Sequence, residues 1–295
     1  MSSQTSLIVY LKLLLMALFW GGTFIAGRLL AGEIQAFSAA FLRFTIASIV
    51  LLFVTFRHHK KLPTIKSDQW LPLFILGLSG VFAYNFFFFS GLQFIEAGRA
   101  AVIIANNPIV IALFAAIFFG ENLNLLKILG IGLSVCGAIV VITQGHPLSI
   151  FHSGIGKGEL YIFGCVISWV TYSLVGRAAM RDLSPLVAVT YSAVIGAGLL
   201  FPAACLEGFF DQITGYSLTV WLSLLYLGLC GTVLGFVWYY QGIQKIGSTR
   251  AGQFINFVPI SAILLSVCFL DEHLSMSLLG GVFLVSSGVY LTNRR

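Results

Sequence analysis

The chain has 295 residues, of which 59% are hydrophobic and 9% charged, and its mean hydropathy is +1.00. A soluble domain carries about 25% charged residues, so a complete water-facing polar shell is excluded and the apolar side chains must meet lipid and one another. The net charge of +6 comes from basic residues scattered between loops, not from one patch, which speaks against nucleic acid as a partner.

Long charge-poor stretches follow one another along the chain, most of them near the ~20 residues a helix needs to cross the hydrocarbon. Backbone groups in lipid must be satisfied internally, and unbroken apolar runs lack the period-two alternation of barrel strands, so the spans are helices. They are predicted near 7–28, 36–56, 71–91, 97–119, 125–143, 158–177, 185–206, 218–240, 248–270 and 275–292. The expected fold is an all-α integral membrane protein of ten transmembrane helices, arranged as two inverted five-helix repeats.

The first span follows a start without a charged n-region and is too long for a secretory h-region, so it reads as a retained helix carrying Trp20 and Thr23. The second holds Arg43, a charge well inside a span. It costs at least ~2.5 kcal/mol there on insertion scales and must face protein or water. Glu272 is its expected partner. Either an ion pair between helices or direct contact with a substrate carboxylate would account for it. The third span adds Tyr84 and Asn85, then the run Phe86 to Phe89, which covers most of a helix circumference and reads as packing.

The fourth span contains Asn106, Asn107 and Pro108 and ends at Glu121. The connection 144–157, rich in Gly, Ser, His and Pro, reads as an external linker between a first half (1–143) and a second (158–295). Span six brings Trp169, Tyr172 and Ser173, and span eight Trp238, Tyr239 and Gln241. Span nine has Gln253, Asn256 and Pro259 and ends at Glu272. The two prolines remove a backbone donor near mid-span and free the carbonyls of Ile104 and Ile255, giving either a matched pair of kinks at a midplane site or simple curvature. The amides before them either ligate a substrate or tie helices together. Glu121 and Glu272, at helix C-termini where an acid opposes the macrodipole, are assigned a structural or gating role. Aromatics deep in the spans, Trp20, Tyr84 and Trp169, are cavity candidates, while those at span ends fit the interfacial belt.

With the N-terminus inside, the opposite side carries only Arg28, Arg43, Arg99 and Lys157 of the sixteen Lys and Arg. That asymmetry predicts cytoplasmic termini and an even number of spans. The stretch beginning at Gly91 also repeats at Gly242. At one offset of 151, Gln93 matches Gln244, Arg99 Arg250, Pro108 Pro259, Glu121 Glu272, Gly130 Gly281 and Gly137 Gly288. At 149, Trp20 matches Trp169. Five spans per half is odd, so serial halves must lie upside down relative to each other.

LFWGGTF around Trp20, FLRFTIA around Arg43 and the two P…GE/DE…G…G blocks resemble the EamA family of the drug/metabolite transporter superfamily, over nearly the whole chain. The resemblance implies one EamA unit per half, a central cavity between the halves, and export of amino acids, other metabolites or toxic compounds. The expectation is an exporter of small metabolites, most simply amino acids or related compounds, multi-pass in the bacterial inner membrane, as a monomer or homodimer. The candidate substrate-binding residues are Trp20, Thr23, Arg43, Tyr84, Asn85, Asn106, Asn107, Trp169, Tyr172, Gln253 and Asn256. A drug exporter, a nucleotide-sugar or phosphate carrier, and a channel stay open as alternatives. The missing mid-span Asp or Glu argues against a buried site for cationic drugs, and a single buried Arg against sugar nucleotides. No HExxH, GxSxG or P-loop occurs, so no enzyme, cofactor or metal is expected, and the five scattered cysteines read as small buried hydrophobes.

Overall fold

The computed structural model describes residues 3–107, 109–110, 114, 125–146, 155–180, 182–246 and 253–293. Among these the regular structure is entirely helical. The first half gives α1 (Ser3–Leu30), α2 (Ala36–His59), α3 (Trp70–Leu76), α4 (Tyr84–Leu92), α5 (Ala97–Ile104) and α6 (Leu125–Ile142). The second gives α7 (Lys157–Ala179), α8 (Pro185–Leu206), α9 (Leu218–Tyr226), α10 (Gly235–Ile246), α11 (Phe257–Leu270) and α12 (Met276–Asn293). Among the described residues, seven helical stretches are long and apolar enough to cross a membrane, and Phe254–Leu270 and Met276–Leu291 are shorter apolar helices.

Local chemistry sets the helix starts. Ser184 accepts the Val187 amide and Pro185 follows it, fixing the first φ of α8. Ser217 does the same for Val220 in α9, and Ser275 takes the Leu278 amide ahead of α12. Gly32, at φ +89°, makes the turn from α1 to α2, a conformation a Cβ would strain. Leu7, Leu11, Leu14 and Leu18 form an exposed stripe on α1 at helical spacing, while Leu13, Met16 and Ala17 on its other face are buried. Apolar side chains thus cover both faces, as a lipid-bathed helix requires.

Two features went unforeseen. α3 and α4 are joined by a π segment (Gly77–Ala83), and α9 and α10 by another (Leu227–Leu234), so each rod is continuous but locally widened. Glycine makes both approaches close. A Cβ on Gly80 would lie 2.1 Å from the Tyr172 ring, and one on Gly231 would lie 2.7 Å from Thr23 Cγ2.

Equivalent helices of the two halves pack against each other, and they run antiparallel. On α6 and α12, a Cβ at Gly137 would meet the Gly281 carbonyl at 2.9 Å, and one at Gly288 the Gly130 carbonyl at 2.5 Å. Rising numbers on one helix meet falling numbers on the other. Likewise Thr55 near the end of α2 bonds Thr190 near the start of α8 (2.7 Å), while Ser38 at the start of α2 bonds Glu207 just past the end of α8 (2.8 Å). α1 and α7 occupy the middle: α1 packs on α9, α10 and α11, and α7 on α3, α4 and α5.

Pro108, Glu121 and Arg250 lie outside the described residues. Around Pro108, α5 stops at Ile104 and the Asn106 and Ile109 amides bond carbonyls three residues back, a tightened turn (3.2 and 3.0 Å). Pro259 stands in the first turn of α11, directly after the 3-10 turn Gln253–Asn256 that opens the same helical run. Its missing N–H falls where helices leave amides unpaired anyway.

Candidate functional site

Where α1, α2, α4, α7 and the second π segment converge, aromatic rings and one cation form a single cluster. Trp20 and Trp169, the repeat-related pair, meet edge to face with centroids 6.3 Å apart. Tyr84 and Tyr172 each lie 5.5 Å from Trp169, and Phe236 lies 5.6 Å from Trp20 and 6.0 Å from Trp169. Tyr239 closes on Trp20 at 5.4 Å. Trp20 Nε1 donates to the Gly231 carbonyl at 2.9 Å, an acceptor in the widened π turn, and a Cβ on Gly235 would collide with that same indole nitrogen. Trp20, Tyr84, Trp169, Phe236 and Tyr239 are only half-buried despite their central position.

Arg43 is 6% exposed, and its partners are neutral. Nη1 donates to Asn85 Oδ1 at 2.9 Å and Nε to Thr232 Oγ1 at 3.2 Å, and the guanidinium carbon stands 5.2 Å from the Phe44 ring centre. The expected pairing with Glu272 does not occur. Glu272 instead accepts the Ala97 and Gly98 amides at 2.9 and 3.2 Å, capping α5 from the other half. A carboxylate that would oppose the dipole of its own helix is stabilised at the positive end of a neighbouring one. Glu207 treats α2 the same way, accepting the Phe37 and Ser38 amides and the Ser38 hydroxyl. Beside it, outside the spans, the Tyr216 phenol is raised above its ordinary value by burial and then by Glu207, so it stays neutral. Arg99 and Glu159 form an ion pair at 2.5 Å, again between halves, and Arg99 also donates to the Ile142 carbonyl.

Of the residues singled out from sequence, Trp20, Thr23, Arg43, Tyr84, Asn85, Trp169 and Tyr172 come together here. Thr23 is buried and donates to the Trp20 carbonyl at 2.6 Å. Asn106 does not join them: its amide donates to Val102 and Ile103 carbonyls and its oxygen accepts from Ser134 on α6, so it acts as a helix tie. Asn107 is buried, and its Oδ1 has no partner among the described residues. Asn256 ends the 3-10 turn ahead of α11 without a side-chain cap bond, and the Gln253 side chain lies outside the described residues. Sequence reasoning missed Thr232, Gly231, Phe236, Glu159 and Glu207. The run GLCGTVLGF held a signal for three of them, since closely spaced glycines beside an aromatic mark a close approach.

Two hollows open at opposite ends of the bundle. One of about 630 Å³ is lined by polar groups including Arg28, Glu33, Gln35, Gln93 and Gln212. The other, about 510 Å³, is mainly apolar, between α3 and α7 around Leu71, Ile75, Leu174 and Val175.

The EamA-like transporter family matches residues 7–143 and again 156–294. The chain is similar to the uncharacterized transporter YyaM of Bacillus subtilis, 30% identical over 259 residues, covering 88% of this chain and 85% of the relative. An uncharacterized transporter of Archaeoglobus fulgidus is 28% identical over 296 residues, covering 100% and 99%. The WAT1-related protein At3g02690, chloroplastic, of Arabidopsis thaliana is 24% identical over 284 residues, covering 93% and 67%. A solved crystal structure superposes with a TM-score of 0.65 at 21% identity over 96% of this chain and 97% of that one, a likeness of fold. With two copies of the family unit spanning nearly its whole length, the chain belongs to the EamA-like transporter family.

Proposed function

We propose that this protein is a secondary transporter that exports small metabolites, amino acids or related compounds, by alternating access of two inverted five-helix repeats. In this reading it is a ten-span protein of the bacterial inner membrane with both termini cytoplasmic, acting as a monomer or homodimer. The observation that carries the reading is the antiparallel packing of equivalent helices, α2 on α8 and α6 on α12, around an axis where Trp20 meets Trp169. Antiparallel twins can exchange conformations, which closes a shared central site to one side and opens it to the other. The charge balance of that site favours a carrier of zwitterions over one of cationic drugs. Its ionisable centre is Arg43, held by neutral side chains, and a cation would be repelled.

The test is counterflow with purified protein in liposomes, screening labelled amino acids against unlabelled metabolites inside. Saturable, structure-selective exchange supports a carrier. Flux that never saturates identifies a channel, and saturable exchange limited to cationic drugs overturns the substrate assignment.

A further inference from the structure

Arg43 is a buried cation that no acid among the described residues pairs with. Its two hydrogen-bond partners are fixed by the π segments. The Asn85 amide group donates to the Val81 carbonyl at 2.8 Å and faces that of Gly80 at 3.5 Å, so its oxygen must turn toward Arg43. The Thr232 hydroxyl donates to the Leu227 carbonyl at 3.0 Å, which leaves its lone pairs for Nε. A π turn displaces carbonyls from the regular ladder, and these two side chains take them up. Each therefore spends its donor on the backbone and presents an acceptor to the guanidinium.

A guanidinium has five N–H groups in a fixed planar fork. Nε and one N–H of Nη1 are used. Among the described residues nothing hydrogen-bonds Nη2. That nitrogen faces Gly231, where a Cβ would stand 3.7 Å from it and 2.7 Å from Thr23 Cγ2. Gly231 is also where the Trp20 indole donates, so the free edge of the fork adjoins the half-buried aromatic cluster. Such a guanidinium edge is suited to bidentate recognition of a planar anion, a geometry Lys lacks.

We infer that the Nη1–Nη2 edge of Arg43 receives the carboxylate of the transported molecule, whose apolar or aromatic body lies against Trp20, Trp169 and Phe236. This rests on the carrier reading above and narrows its substrate to carboxylates with an apolar side chain. The neutral partners matter: an acid in place of Asn85 would answer the charge internally and leave nothing for the ligand.

The test compares matched probes on the full chain in nanodiscs, by calorimetry and by intrinsic tryptophan fluorescence, with Trp70, Trp221 and Trp238 replaced by Phe so that Trp20 and Trp169 report. Leucine, phenylalanine and tryptophan are set against their amides, which keep size and ammonium but lose the anion. Wild type is expected to bind at least one acid about 10- to 100-fold more tightly than its amide, the range for a charged hydrogen-bonded contact. In Arg43→Gln the acid should fall toward the affinity of the amide, and Arg43→Lys should recover part of the preference. Equal affinity for acid and amide in wild type overturns the inference without recourse to any variant. So does a parallel loss of acid and amide in Arg43→Gln, which would mark Arg43 as a pin between the π segments, and so does failure of every acid to bind. Counterflow separates this from the broader reading. Saturable exchange indifferent to the carboxylate sinks the inference alone, whereas acid-selective binding without exchange sinks the carrier and leaves the site.

Discussion

Removing the Glu207 carboxylate tests whether the two halves are held together where α8 ends and α2 begins. The N-cap residue of α2, Gln35, makes no side-chain cap bond, so the start of that helix depends on Glu207 from the other half. Three donors converge on it: the Ser38 amide at 2.7 Å, the Ser38 hydroxyl at 2.8 Å and the Phe37 amide at 3.1 Å. Losing a helix cap costs about 0.5–2 kcal/mol and a hydrogen bond to a charged group about 1.5–3 kcal/mol. These overlap, because they describe one carboxylate. About 2–3 kcal/mol is the expected loss in Glu207→Ala, equivalent to about 30- to 150-fold in an equilibrium constant. Glu207→Gln keeps one oxygen for Ser38 but sets an amide nitrogen against the Phe37 amide, and should lose about half as much.

The assay is the labelling rate of a cysteine placed at Ala39, which is 1% exposed on α2. The background lacks the five native cysteines, and the reagent is a membrane-impermeant maleimide applied from the Glu207 side. If the clasp holds this conformation, Glu207→Ala raises the labelling rate tens-fold and lowers the unfolding midpoint, with Glu207→Gln between. Wild-type labelling and an unchanged midpoint in Glu207→Ala would refute the reasoning, because a bond whose loss shifts nothing is not holding the halves.

Glycine substitutions on α12 should split by position. Gly288→Ala puts a Cβ against the Gly130 carbonyl and the Ser134 amide, both backbone, and overpacking of this kind destabilises by about 1–3 kcal/mol. Gly280→Ala meets nothing within 4 Å and should be neutral or stabilise by up to about 1 kcal/mol, as thermal unfolding in detergent would measure. Glu159→Gln leaves Arg99 without its ion pair. Because Arg99 keeps 19% exposure, the loss should be nearer 2 than the 3–5 kcal/mol of a fully buried pair, with partial recovery in the Arg99→Gln double variant. Trp20→Phe removes the bond to the Gly231 carbonyl and should cost about 1 kcal/mol in stability while reducing ligand-induced quenching, read by fluorescence titration.

The helices were legible because lipid demands long apolar runs, and the duplication because Arg, Pro, Glu and Gly coincide in one register more tellingly than Leu does. Arg43 declared itself for the same reason: a charge within a span needs an explanation. Its partner was not legible. Pairing it with Glu272 used depth in the membrane alone, and depth says nothing about which way round the bundle a side chain faces. Asn85 and Thr232 became partners only because two π segments free carbonyls for them, and no residue pattern marks a π turn in a chain this apolar. Sequence weighs Glu272 against the dipole of its own helix, whereas it sits at the start of α5, and nothing in the sequence marks Glu207 as the cap of α2. Asn106, chosen for its amide in hydrocarbon, spends that amide on Ser134 and its own turn.

Packing contacts of the two halves come in mates. Gly80 on Tyr172 answers Gly231 on Thr23, Gly77 on Ile195 answers Gly228 on Ile46, and Gly137 on Gly281 answers Gly288 on Gly130. In the proposed carrier, exchanging the shapes of the halves would replace each such contact by its twin. Two of the polar ties, those of Arg43 and Glu207, are not paired in this way. The positions 149 to 151 residues beyond Arg43 are Ser192, Ala193 and Val194, and those before Glu207 are Phe56, Arg57 and His58. Neither the guanidinium nor the Glu207 carboxylate has a repeat counterpart. In the proposed carrier the matched glycines permit the exchange, and Arg43 and Glu207, which lack repeat mates, bias which arrangement is populated. Anything that answers Arg43 or releases Glu207 acts on that bias directly, and a difference of about 1.4 kcal/mol between the two arrangements is enough to change their ratio tenfold.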